Sequence, residues 1–138
     1  MKRRDKWMTG IAALTVGLMG GCETSELVAE DIVQVRIAES VDFGRFQERE
    51  VVTYDRLEDV KVFADMIRNA DEQPGIVNMA TPEYDVEVRF KSDETDRYYV
   101  WIGESGKPTS LMNVNDTNTV YLVPADVTDE LIELLETD

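Results

Sequence analysis

The chain has no histidine and a single cysteine, Cys22, in 138 residues. Without imidazole there is no Ser-His-Asp or Cys-His nucleophilic pair, and a catalytic zinc site loses its commonest ligand. With one thiol there is no intrachain disulfide. Basic residues are scarce as well: 14 Lys+Arg stand against 29 Asp+Glu, a formal net charge of −15. A surface this acidic repels phosphate backbones, which excludes nucleic acid as a partner. It repels anionic lipid headgroups for the same reason. Nor is there an apolar run long enough to span a bilayer. The stretch from Met8 to Met19 carries no charge but covers only about 12 residues, where a spanning helix needs roughly 20.

What the first residues do contain is the make-up of an export signal. Lys2, Arg3, Arg4 and Lys6 face a single Asp5, the apolar run follows, and Gly20 and Gly21 precede Cys22. Leu18-Met19-Gly20-Gly21-Cys22 resembles the lipobox of bacterial lipoproteins, with Met19 where leucine is usual and Leu18 one residue further back. The resemblance implies cleavage between Gly21 and Cys22, a diacylglyceryl group on the Cys22 thiol, and a protein held on the outer face of the cell membrane in the Gram-positive manner. Loss of residues 1–21 removes four basic residues and one acid. The mature chain then has 10 Lys+Arg and 28 Asp+Glu, a net −18 over 117 residues. Residues 22–30 read as a tether. The eight after the cysteine reach at most about 26–29 Å fully extended, so the domain sits close to the bilayer.

Residues 31–138 are expected to form one domain. Val33, Val35 and Ile37 alternate with Gln34 and Arg36, which predicts a strand over 32–38; a weaker pattern predicts another over 46–53. Asp55 and Glu58 have capping-box spacing, and Leu57, Val60, Phe63, Ala64, Ile67 and Ala70 recur at helical spacing as far as Ala70. Tyr84–Phe90 alternates cleanly and predicts a hairpin with Arg97–Gly103. Thr109–Val114 and Asn118–Val123 flank a polar turn. Pro124 opens a closing helix with Val127, Leu131, Leu134 and Leu135 on its apolar stripe. The expected fold class is α+β: a two-layer, mainly antiparallel sheet with two helices on one face, in the order ββαβββα.

Gly75-Ile76-Val77-Asn78-Met79, Pro82-Glu83-Tyr84-Asp85-Val86, Tyr99-Val100-Trp101-Ile102 and Leu111-Met112 with Asp116-Thr117-Asn118-Thr119-Val120-Tyr121 resemble the YhfM-like lipoproteins of Bacillus-type bacteria over roughly residues 45–138. The resemblance implies a small exported lipoprotein domain and brings no catalytic residues with it.

The strands near the end of the chain are apolar on both sides. If the helices cover only one face of the sheet, Tyr99, Trp101 and Tyr121 become a candidate binding patch on the other. Core packing, or cover by loops, is the competing reading. The acid-rich turns Asp93-Glu94…Asp96 and Asn113…Asn118 lack EF-hand spacing and read as solvated turns. No cofactor, metal or catalytic residue is expected. The function expected is a non-enzymatic accessory module that touches the membrane through its lipid and binds a protein or a ligand, an envelope protein being the candidate protein partner. The alternative is a small envelope enzyme, or an enzyme inhibitor, that uses carboxylates.

Overall fold

A computed structural model describes residues 31–74 and 79–136. Seven strands, β1 (Ile32–Glu39), β2 (Val52–Tyr54), β3 (Asp71–Gln73), β4 (Tyr84–Phe90), β5 (Thr95–Trp101), β6 (Thr109–Asn113) and β7 (Val120–Val123), form one sheet in the order β2-β1-β4-β5-β6-β7-β3. Every pairing in it is antiparallel. Helix α1 (Leu57–Arg68) follows β2, and α2 (Ala125–Glu136) closes the chain.

Successive side chains of a strand point to opposite faces. One face of the sheet presents Val35, Ile37, Val86, Val88, Tyr98, Val100, Leu111, Tyr121 and Val123. These form a single core with Val60, Phe63 and Ile67 of α1 and Val127 and Leu131 of α2. Both helices therefore lie on one face, as the periodicity of the sequence implies. A buried hydrogen bond between the Thr109 and Thr128 hydroxyls, 2.8 Å apart, ties α2 to β6.

The order of elements is ββαβββββα. The four segments expected as strands between the helices are all present, as β4 to β7, so the expected ββαβββα counts one strand fewer than its own segments; β3 was not anticipated. Asp71 and Glu72 are exposed, and the three residues of β3 are held by backbone pairing to β7, so they carry no apolar alternation to read. The strand expected over 46–53 shrinks to Val52–Tyr54. Glu50 has a positive φ of 50°, which breaks extended backbone, and Phe46 is drawn to the other face of the sheet. The capping box does not form either. Arg56 occupies the N-cap position, where its side chain makes no capping hydrogen bond, and Leu57 is 85% exposed instead of joining the core.

Gly103 opens the loop between β5 and β6. A Cβ there would stand 2.2 Å from the carbonyl oxygen of Pro108 and 3.1 Å from its carbonyl carbon. Backbone cannot rotate out of the way as a side-chain tip can. Gly103→Ala is expected to cost about 1–3 kcal/mol, the usual range for overpacking. Urea unfolding of the variant beside the parent measures it, and an unchanged midpoint would show that the loop yields freely.

Candidate functional site

The second face of the sheet carries Arg36 and Ala38 of β1, Asp85 and Glu87 of β4, Arg97, Tyr99 and Trp101 of β5, and Met112 of β6. Residues 40–51, between β1 and β2, fold back over it as an irregular strap. Phe46 is the only buried residue among those twelve. Its ring lies between two guanidinium groups, with Arg36 Cζ 5.0 Å and Arg97 Cζ 5.6 Å from the centroid. Cation–π pairs of this kind contribute about 0.5–1 kcal/mol where partly exposed.

Polar contacts pin the strap at a few points. Arg97 Nη2 donates to the Gly44 carbonyl at 2.9 Å and the Tyr99 hydroxyl to the same oxygen at 3.5 Å. Gln47 Nε2 donates to the Glu39 carbonyl at 3.1 Å. Arg36 Nη2 is paired with Glu48 of the strap, and Arg36 Nη1 with Glu87 of the sheet at 2.7 Å. Burial works against the Arg36 charge, but the two carboxylates more than offset it and hold the guanidinium protonated above its ordinary range.

Asp85 is the anomaly of this face. It is fully buried, and neither carboxylate oxygen has a hydrogen bond. The Ser40 hydroxyl nearby is directed to the Asp42 carbonyl at 3.1 Å, and Arg97 Nη2 approaches Asp85 Oδ2 only to 4.0 Å. Arg97 Nε is buried without a partner as well. Burial pushes the Asp85 carboxyl above its ordinary range; Ser40 and Arg97 pull the other way and do not prevail. The folded state thus holds the Asp85 proton more tightly than the unfolded chain. What this residue contributes to stability is fullest at acid pH and is lost as pH rises through the raised value. Asp85→Asn, of the same shape and uncharged, is therefore expected to raise stability at pH 8 by on the order of 1 kcal/mol, because a neutral amide costs less to bury than a carboxylate. The gain should shrink at pH 4. Thermal melts at the two pH values test this, and a lower melting temperature for the variant at pH 8 would refute it.

The three aromatic residues singled out from the sequence do not come together. Tyr99 and Trp101 share the second face, but the strap covers Tyr99, and the Trp101 indole N–H is taken by the carbonyls of Ala80 and Thr81 at 3.0 and 3.2 Å. Tyr121 is a correction. It pairs across from Leu111, and both point into the helix-side core, because the register places Val120 and Leu122 on the second face instead. Phe43 takes the place of Tyr121. Its ring stands edge-on to Tyr99 at 5.1 Å and 6.1 Å from Trp101, and it is 43% exposed. In the sequence, Phe43 sits in what reads as a plain turn, and no periodicity links it to a strand 56 residues later.

The acid-rich turns bond within themselves. Asp93 pairs with Arg89 at 3.0 Å and Glu94 with Ser92 at 3.3 Å. Asp116 spends both oxygens on its own turn, accepting from Asn118 N and Thr119 Oγ1. Among the described residues no three acids or cysteines gather in a way that would hold a metal ion. Gly21, Cys22 and the tether lie outside the described residues.

A family model described as YhfM protein matches residues 36–138. The chain belongs to the YhfM family. Among curated proteins none matches it. One solved structure is similar to this YhfM-family chain, a thioesterase-like protein from Clostridium sporogenes. It has a TM-score of 0.55 and 14% identity, and the match covers 79% of this chain and 96% of that one. At that identity the likeness extends to the α+β fold and no further. The strap, the sheet face and both helices all fall within the segment that defines the family.

Proposed function

We propose that this YhfM-family chain is a non-enzymatic accessory module, anchored through a diacylglyceryl group on Cys22, that binds an envelope protein at the strapped face of its sheet. The observation that carries this reading is the Phe43–Tyr99–Trp101 cluster. It places a half-exposed aromatic ring, with Val41 exposed two residues before it in the chain, on an otherwise strongly acidic surface. Aromatic anchors rimmed by polar residues are the usual energetic centres of interfaces. Charge favours a basic partner. The test is capture from detergent-solubilised membranes with the lipidated protein, beside a Phe43→Ser variant of equal stability. A partner recovered by the parent and lost with the variant supports the reading. Recovery of nothing, or equal recovery by both, counts against it.

A second reading rests on Asp85. Buried carboxyls with raised proton affinity beside a cation are common at catalytic sites, and the similar structure is described as thioesterase-like. On this reading the chain hydrolyses acyl thioesters with Asp85 as its acid–base group. The strap leaves no open cleft at Asp85, which favours the binding module. Turnover of a simple acyl thioester that is abolished by Asp85→Asn would reverse that order.

A further inference from the structure

We infer that Phe46-Gln47-Glu48 is a built-in pseudo-ligand, and that the strap lifts to let an extended protein segment with an aromatic residue and a carboxylate two positions later take its place between Arg36 and Arg97. This rests on the reading of the second face of the sheet as a binding surface, but not on the Phe43–Tyr99–Trp101 cluster, which a lifted strap would separate.

The strap is held as a weakly bound peptide is held. One buried side chain, Phe46, fills the slot between two guanidinium groups, and Glu48 pairs with the free edge of Arg36 while Glu87 holds the other. No residue of 40–51 belongs to a strand or helix, so no ladder of backbone hydrogen bonds locks it down. The closed state also carries identifiable costs. Asp85 and Arg97 Nε are buried without hydrogen bonds beneath it, and Glu50 is held at a left-handed φ of 50°. Segments with few buried contacts and local strain open well below the global unfolding free energy. Lifting the strap would uncover both arginines together with Tyr99, on a chain whose exterior is otherwise acidic. An aromatic side chain stacks on guanidinium planes, and a carboxylate two residues on reaches Arg36 as Glu48 does.

Two measurements on the full mature lipoprotein in detergent micelles test this. The first is hydrogen exchange of the parent. Amides of 41–51 should exchange at least a hundredfold faster than those of β4 and β5; exchange at the same rate as those strands would overturn the proposal. The second uses Phe46→Ala, with Trp101, the one tryptophan left after residues 1–21 are removed, as the fluorescent reporter. A synthetic peptide copying residues 42–50 should bind Phe46→Ala at least tenfold more tightly than the parent, because the parent's strap competes. A peptide copy carrying Phe46→Ala and Glu48→Gln should not bind. Equal affinity for the two proteins, or no saturable binding to a natively folded variant, would overturn the proposal. If Phe46→Ala does not fold, hydrogen exchange alone decides. A locked strap combined with successful partner capture would sink this inference and leave the proposed function standing. Failure of capture, with a mobile strap and saturable binding of the peptide to Phe46→Ala, would sink the proposed envelope-protein partner and leave this inference standing.

Discussion

Serine in place of Cys22 is expected to move the protein almost entirely from the membrane to the soluble fraction. Serine copies the shape of cysteine but cannot receive the diacylglyceryl group. Each buried CH₂ of an acyl chain contributes about 0.8 kcal/mol, and a single chain gives only marginal, reversible binding, so the step from two chains to none spans many orders of magnitude in partition. On the proposed cleavage, the net charge of −18 left on residues 22–138 supplies no compensating attraction to anionic headgroups. Fractionation of cells producing each form, with intact mass of the mature chain to show the added lipid, measures the effect. Equal membrane retention of the two forms would mean that the uncharged run 8–19 stays in place as an uncleaved anchor.

Phe63→Ala is expected to remove about 3–5 kcal/mol of folding stability. Phe63 is fully buried at the centre of the α1 face, and its ring meets that of Tyr54 on β2 at 5.3 Å. It therefore joins the helix to the edge of the sheet, and truncation leaves a cavity walled on one side by a helix and on the other by strands that cannot close on it. Domains of this size have about 5–15 kcal/mol in total, so the variant should lose much of its margin. Urea midpoints at constant slope give the number. Leu57→Ala on the same helix is the control, and its 85% exposure limits the change to about 0.5 kcal/mol. A loss below about 1 kcal/mol for Phe63→Ala would mean that α1 docks loosely.

That pair of residues shows what the sequence could disclose. Both fall on the apolar stripe of a helical wheel, and the wheel cannot tell the turn that reaches the sheet from the turn that precedes it. The helices, the β4–β5 hairpin and the helix-side core were legible because their apolar residues keep period. The strand β3 was not, because backbone pairing alone makes it. The strapped face was legible only in halves. Tyr99 and Trp101 follow from strand alternation, but Tyr121 needed the register of β7, which the polar turn before it leaves open. Phe43 and Phe46 were not legible at all. Their roles depend on a non-periodic segment crossing the sheet, a contact with no local signature. Asp85 reads as an ordinary outward acid until the strap is seen to lie over it.

The sheet ends on both sides in three-residue strands, β2 and β3, and Asp71 and Glu72 stand on the latter. Such short edges, the β3 one also charged, give another sheet little to zip onto. For a chain held on a surface, as proposed, this has a particular value. Confinement to two dimensions raises the effective concentration of neighbouring copies far above that in free solution, and a long bare edge would invite them to polymerise. On that proposal, blunt edges would let many copies crowd one membrane without pairing sheet to sheet.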